Sequence, residues 1–350
     1  MRLIVQSAIC NVQFPNVQSC NLMKVLVAIY YPDALVWNIP LRSVDVLRER
    51  FPHVTFVHAR DHEATLREVR DADIAFSSIL RGDLLAPSTR LRWIHSSAAG
   101  VGSLMSPELR ARGIVVTNSR GLHATTIAEH VVGVTIMLLR KLHVAVRRQI
   151  EGRWAQEEMS APDASRSIRG ATVGVVGLGA IGSAVAGAMA ALGAEVRAIR
   201  RRVDLPAPEG VAWVGGPDEL DHLLRRADVV VLAAPQTAAT RGLIGARELG
   251  LMRRDAFLVN VSRGKLVDER ALVEALTDHA IAGAALDVFE HEPLSPSSPL
   301  WRLPNAIVTP HSSGFREDYW EAVTDLFCEN LRRFERGDPL LNVVDLDLGY

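Results

Sequence analysis

Cysteine is almost missing from this chain: Cys10, Cys20 and Cys328 are all it has in 350 residues. The set is odd, scattered and without metal-ligand spacing. It excludes a disulfide framework and a cysteine zinc site, and it suits a reducing cytoplasm. An excess of one charge sign is missing too. Lysine and arginine number 39 against 40 aspartates and glutamates, a net charge of −1, so no electrostatic case exists for nucleic acid or an anionic membrane as partner. Long apolar runs are also absent. The most apolar helical stretch, Val131–Leu139, is bounded by His130 and Arg140, well short of the roughly 20 residues that a bilayer span needs. Residues 1–22 carry a single charge, Arg2, and lack the apolar centre and cleavage site of a secretory signal. They are expected to be a disordered extension, and a translation start at Met23 would account for them.

What the chain has is a 48% hydrophobic composition, enough for two domains. It is organised around Arg169–Arg202. Thr172–Val176 reads as a buried strand, and Gly177, Gly179 and Gly182 follow as G-x-G-x-x-G. Ala184–Leu192 reads as a helix of small residues closed by Gly193, and Glu195–Ile199 as a second strand. A glycine motif that leaves a strand and opens a helix inside a βαβ unit is a dinucleotide fingerprint. Gly177 makes the turn, Gly179 leaves room for a pyrophosphate, and Gly182 lets helix and strand pack closely. The helix N-terminus then faces the phosphates with unpaired N–H groups. An NAD-preferring site places an acidic residue at the end of the second strand. Here Arg200, Arg201 and Arg202 stand there. Guanidinium groups bind a 2′-phosphate, so NADP(H) is expected to be preferred, with NAD(H) possible; a solvated basic loop is the plainer alternative.

Before this unit the chain alternates strands and helices. Lys24–Ile29, Val54–His58, Asp73–Ser77, Leu91–His95 and Gly113–Thr117 read as strands. Leu41–Arg50, His62–Val69 and Ser106–Arg112 read as helices. The pattern implies a mostly parallel sheet with helices on both faces. Gly121–Arg148 is expected to be one long helix, apolar nearly all round and so buried between domains or subunits. Glu151–Ser167 reads as a polar loop. After the glycine unit, Asp228–Leu232, Ala256–Asn260, Ile281–Leu286 and Ala306–Thr309 are further strands, completing a doubly wound sheet of about six. Arg316–Arg336 is a helix whose stripe of Trp320, Val323, Phe327, Leu331 and Phe334 is expected to rejoin the first domain. The predicted class is α/β, with two doubly wound domains, one flavodoxin-like and one Rossmann. The expected division is 23–119 with 317–350 for the substrate, and 120–316 for the dinucleotide.

Ligands of doubly wound sheets sit at the carboxyl ends of strands. Three such ends carry chemistry. His311 follows Thr309-Pro310, Arg263 follows the strand ending at Asn260, and Asp287 with Glu290-His291-Glu292-Pro293 follows the strand ending at Leu286. Histidine is a proton donor near neutral pH, arginine matches a carboxylate, and a carboxylate can orient a histidine. Each residue also has a structural reading: Arg263 on the surface, Asp287 as a turn cap, His311 as a satisfied loop histidine.

GVVGLGAIG, LVNVSRGKLVDERAL, GAALDVFEHEPL and PNAIVTPHSSG occur in that order. With them the chain, from about Lys24 onward, resembles the D-isomer-specific 2-hydroxyacid dehydrogenase family. The resemblance implies a cleft between a substrate domain and a cofactor domain, usually in a homodimer. It assigns Arg263 to the carboxylate and keto oxygen of a small 2-oxo acid. It makes His311 the general acid/base and Glu292 the partner that keeps it protonated. It makes Asp287 an acceptor from the nicotinamide carboxamide. The cofactor set comprises Gly177, Gly179, Ala180, Ile181, Gly182, Arg200, Arg201, Pro235, Val261 and Asp287. Ala99 and Gly100, in Ser97-Ala98-Ala99-Gly100-Val101-Gly102, match the loop whose N–H groups hold the substrate carboxylate. The family often has Gly where Ala98 stands and Asp where Gly102 stands. Formate-oxidising relatives have Gln in place of the glutamate, so Glu292 favours hydroxyacid chemistry. Arg200 and Arg201 resemble the arginines of NADPH-using glyoxylate and hydroxypyruvate reductases. The alternatives are an NAD-linked relative acting on another small acid, or a dinucleotide-sensing, co-repressor-like binding protein.

Overall fold

Short runs of valine, leucine and isoleucine become parallel strands, because a sheet covered on both faces needs apolar side chains at every position. The computed structural model describes residues 23–32, 35–102, 104–160, 165–347 and 349. The extension expected over residues 1–22 lies outside the described residues. The chain divides into two units, one formed up to Leu122 and again from Glu317, the other from His123–Arg316.

The first unit holds β1 (Lys24–Ala28), α1 (Leu41–Arg50), β2 (Thr55–His58), α2 (His62–Glu68), β3 (Ile74–Ser77), β4 (Trp93–His95), α3 (Pro107–Ala111) and β5 (Val115–Thr117). The strand order is β2-β1-β3-β4-β5, with every pair parallel. Asp61 caps α2 by accepting from the Ala64 N–H at 2.7 Å, which satisfies one of the donors a helix start leaves open. The last helix of the chain, Tyr319–Arg336, buries Val323, Phe327, Leu331 and Phe334 in this unit's core. Phe327 stacks on Phe76 with centroids 4.5 Å apart and on Trp93 at 5.3 Å.

The second unit opens with α4 (Ala124–Leu139), α5 (Leu142–Ile150) and α6 (Gln156–Ser160). The glycine unit follows as β6 (Thr172–Val176), α7 (Ala180–Ala191) and β7 (Glu195–Ile199). Then come β8 (Val211–Gly215), α8 (Leu220–Leu224), β9 (Val229–Leu232), α9 (Ala246–Leu251), β10 (Phe257–Asn260), α10 (Glu269–Thr277), β11 (Gly283–Leu286) and β12 (Ala306–Val308). The Tyr319–Arg336 helix is thus α11. The order is β12-β11-β10-β9-β6-β7-β8, all parallel. It reverses between β6 and β9, the switch point at which such sheets bind ligands.

Several expectations change. The sheet has seven strands. The extra one, β8, is an edge strand with one buried residue; its run VAWVG is apolar, but it follows Pro206, Pro208 and Gly210, which read as loop. The single helix over Gly121–Arg148 is two. Lys141, at φ 52°, breaks it after Leu139, with no Gly or Pro there to signal the break. The α4 face of Ile127, Val131, Val134 and Leu138 packs into its own unit's core against β6 and α7, so its burial needs neither another domain nor another subunit. The loop expected over Glu151–Ser167 contains α6. Helix α7 starts at Ala180, four residues before the expected Ala184, which brings its first turn onto the glycine motif.

Candidate active site

The glycine turn has one construction at each glycine. Gly177 sits at φ 99°, and a Cβ there would lie 2.5 Å from the Ala234 nitrogen. A Cβ on Gly182 would lie 1.9 Å from the Gly177 carbonyl oxygen. A Cβ on Gly179 would meet nothing within 4 Å. Two glycines are therefore needed for packing inside the protein. Gly179 faces open space at the N-cap of α7, the cradle a dinucleotide pyrophosphate requires beside a helix N-terminus. Ala180 and Ile181 form the first turn of that helix. Pro235 follows β9 and Val261 follows β10, both at carboxyl ends near the switch point. The Pro235 carbonyl accepts from the Thr240 hydroxyl at 2.6 Å, and Val261 is buried. The residues present fit a nicotinamide dinucleotide.

Arg200 and Arg201 leave the end of β7. Arg201 is exposed and Arg200 half-buried. The Arg200 guanidinium donates to the carbonyls of Leu205 and, at 3.2 Å, Pro206, so it braces the loop that follows β7. Arg202 lies 3.8 Å from Asp204.

Beyond the switch point, three strand ends carry charged residues. After β10, Asn260 shapes the turn. Its Oδ1 accepts from the Ser262 N–H and its Nδ2 donates to the Arg263 carbonyl, both at 3.1 Å. Arg263 reaches solvent yet is crowded by its neighbours. That burial lowers its guanidinium from the usual value, while the charge of Glu292 works the other way. A Cβ on Gly264 would lie 1.8 Å from the Phe289 carbonyl carbon. The Arg263–Gly264 turn thus rests directly on the backbone that carries Glu292.

Glu292 accepts from the Phe289 N–H at 3.0 Å through Oε1, and its Oε2 lies 2.6 Å from Nδ1 of His311. Burial raises the Glu292 carboxyl, but the His311 and Phe289 hydrogen bonds and the charges of His311 and Arg263 outweigh it, and the net shift is downward. His311 adopts φ 52° and donates its N–H to the Asp287 carbonyl at 2.9 Å. Asp287 is buried. Its Oδ1 accepts from the Thr309 hydroxyl at 2.6 Å and the Ser312 N–H at 2.9 Å, and its Oδ2 from the Ser313 N–H at 2.9 Å. Asp287 therefore holds the turn that presents His311, beyond the cofactor contact expected of it. Arg263, Glu292, His311 and Asp287 come together at one end of this sheet.

Ala99 and Gly100 lie in the first unit, past the end of β4, half-buried and exposed respectively. His95, within β4, is fully buried and its imidazole is pushed down to about 3 by that burial; it belongs to the core. Sequence reasoning missed Thr309, Asn260 and Gly264. The first two are polar residues at strand ends, and strand-end position is the one signal that could have raised them.

Residues 132–313 match the family model described as "D-isomer specific 2-hydroxyacid dehydrogenase, NAD binding domain". The chain is 33% identical over 288 residues to a glyoxylate reductase of Korarchaeum cryptofilum, covering 81% of this chain and 86% of that protein. Among solved structures it is similar to a D-isomer specific 2-hydroxyacid dehydrogenase from Xanthobacter autotrophicus in complex with NADPH and MES. That match has 31% identity and a TM-score of 0.80, over 93% of this chain and 99% of that one. It is also similar to an NADPH-dependent glyoxylate/hydroxypyruvate reductase from Sinorhizobium meliloti in complex with NADP and sulfate, at 27% identity and a TM-score of 0.78, covering 93% and 100%.

Proposed function

This chain belongs to the D-isomer specific 2-hydroxyacid dehydrogenase family, and we propose that it reduces glyoxylate- or hydroxypyruvate-like 2-oxo acids with NADP(H) in preference to NAD(H). It is an NAD(P)-dependent oxidoreductase of 2-hydroxy acids. The observation that carries the substrate reading is the contact of Glu292 with His311 on the backbone that abuts Arg263. When bound, the reduced nicotinamide supplies a hydride to C2 of the oxo acid. Glu292 engages Nδ1 of His311, so the proton for the oxo oxygen is held at Nε2. Arg263 binds the carboxylate and the oxo oxygen, where negative charge develops as the hydride arrives. The N–H groups of Ala99 and Gly100 bind the same carboxylate. In this reading the first unit is the substrate domain and the second binds the dinucleotide.

Arg200 and Arg201, where an acidic residue would repel a 2′-phosphate, support the NADP(H) preference. The S. meliloti structure was solved with NADP. The reading includes a homodimer and a cytoplasmic location. Leu142, Val146 and Ile150 form an exposed stripe at four-residue spacing on α5, and Trp154 beyond it is also exposed; such an apolar patch suits a second copy. Cys328 is a free, buried thiol. Among the described residues no helix is long and apolar enough to cross a membrane.

The test is NADPH and NADH oxidation with glyoxylate, hydroxypyruvate, pyruvate and 2-ketogluconate, on wild type and Arg200→Ala/Arg201→Ala. The expected result is turnover favouring NADPH, with the preference cut about tenfold or more in the double variant. Turnover with NADH alone overturns the cofactor reading. No turnover despite dinucleotide binding overturns the substrate reading.

A further inference from the structure

Four consecutive carbonyls lead into the Ala99–Gly100 loop, and each is held from the protein side. The Ser96 carbonyl accepts from the Ser119 hydroxyl at 2.9 Å, and that of Ser97 from the Tyr319 hydroxyl at 2.9 Å. The Ala98 carbonyl accepts from the Ser119 N–H at 3.3 Å, and that of Ala99 from Nδ2 of Asn118 at 2.7 Å. In a trans peptide the C=O and the following N–H point in opposite directions. Among the described residues the one cis bond is Glu292–Pro293. Holding the Ala98 and Ala99 oxygens therefore aims the N–H groups of Ala99 and Gly100 the other way. Among the described residues nothing accepts from either N–H.

We infer that Asn118 and Tyr319 are positioning residues for the carboxylate-binding donors of this loop. The inference rests on the proposed role of Ala99 and Gly100. Asn118 acts on the Ala99–Gly100 peptide itself. Its side chain has little freedom to do otherwise. It is buried, its Oδ1 accepts from the Arg120 N–H at 3.3 Å, and its backbone carbonyl accepts from Nδ2 of Asn342 at 3.1 Å. Tyr319 acts one peptide earlier, where the Ala98 N–H is turned back to the Ser96 hydroxyl at 3.2 Å. Its ring is set edge-on to Trp37 and Trp320, with centroids 5.6 and 4.9 Å away. Burial pushes its hydroxyl up to about 12, so it remains a donor at any assay pH. Two residues 201 positions apart (319 − 118) thus fix the direction of donors that have no side chain of their own to steer them.

The experiment compares KM and kcat for the preferred 2-oxo acid and for its methyl ester, which lacks the negative charge. The variants are Asn118→Ala, Tyr319→Phe and Gly100→Pro, the last deleting a donor outright. Dinucleotide affinity and thermal melting accompany each. The expected result is a rise of about three- to tenfold in KM for the acid in Asn118→Ala, the worth of one hydrogen-bonded position. A smaller rise is expected in Tyr319→Phe. Ester KM, kcat and dinucleotide affinity stay near wild type, since the lost interaction is equal in ground and transition states. Should Asn118→Ala melt below the assay temperature, Tyr319→Phe, which removes one hydroxyl, carries the test. An unchanged acid-to-ester ratio in these two variants, with the ratio lost in Gly100→Pro, overturns the positioning inference and leaves the loop reading standing. A ratio unchanged in all three overturns the loop reading itself.

Discussion

Oε2 of Glu292 lies 2.6 Å from Nδ1 of His311, and the same carboxylate's other oxygen is tied to the Phe289 N–H. A carboxylate fixed at both oxygens cannot follow the imidazole if the imidazole swings. It therefore sets the ring's orientation. His311→Gln is expected to lower kcat by about 10²–10⁴-fold, the usual worth of a general acid/base, with dinucleotide affinity retained. Stopped-flow turnover and fluorescence titration check both halves.

The pH dependence of that pair has a defined sign. The folded Glu292 carboxyl lies below its ordinary 4.5. Its contribution to stability is therefore complete above that value and is lost as pH falls through the lower folded one. Urea unfolding of wild type and Glu292→Gln should show a stability difference that shrinks as pH falls below about 4.5, through the lowered carboxyl value. A difference that keeps growing below that pH contradicts the assignment.

Arg263→Ala should raise KM for the oxo acid and lower kcat together, because the guanidinium is proposed to act on both ground and transition states. Arg263→Lys should recover only part of the loss, since a point charge cannot reproduce a planar two-pronged donor. Wild-type kcat/KM in the alanine variant would remove Arg263 from the site.

Asp287 accepts from Thr309, Ser312 and Ser313. Asp287→Ala leaves these donors unpaired in a buried place, at a cost of about 3 kcal/mol or more. The melting temperature should fall, and kcat should fall with it because the His311 turn loses its anchor. Thr309→Val, which removes one of the three donors, should give a smaller loss of the same kind.

At Gly182 a Cβ would lie 1.9 Å from the Gly177 oxygen. Gly182→Ala must push α7 away from β6, and overpacking of this kind costs about 1–3 kcal/mol. Dinucleotide affinity should fall with it, measured by fluorescence titration, whereas Gly179→Ala keeps the melting temperature and loses affinity alone.

On α5, Ile150 is 82% exposed, and Trp154 beyond it 90%. Ile150→Asp places a charge on the proposed dimer face. Light scattering should then report a monomer for the variant and a dimer for wild type, and a wild-type monomer at micromolar concentration refutes the dimer.

Much of the fold was legible in the chain because its signals are local. The strand of Thr172–Val176 and the glycines after it are neighbours in sequence, and their spacing alone encodes the turn. Buried parallel strands announce themselves by being apolar at every position. The misses were equally local. Edge strand β8 is mostly half-exposed, and its short apolar run is preceded by Pro206, Pro208 and Gly210, which signal a loop. The break at Lys141 is made by a residue type that seldom adopts a left-handed conformation.

By itself, then, the sequence determined the βα alternation, the dinucleotide turn, and which charged residues stand at strand ends, since each depends on residues within one unit of secondary structure. Only the tertiary structure decided which strand ends become neighbours. Glu292 and His311 are 19 residues apart, and Tyr319 and Ser97 are 222 apart. Their contacts depend on strand order and crossover connections, which are settled by burying sheet faces under helices and not by any pairwise pattern in the chain.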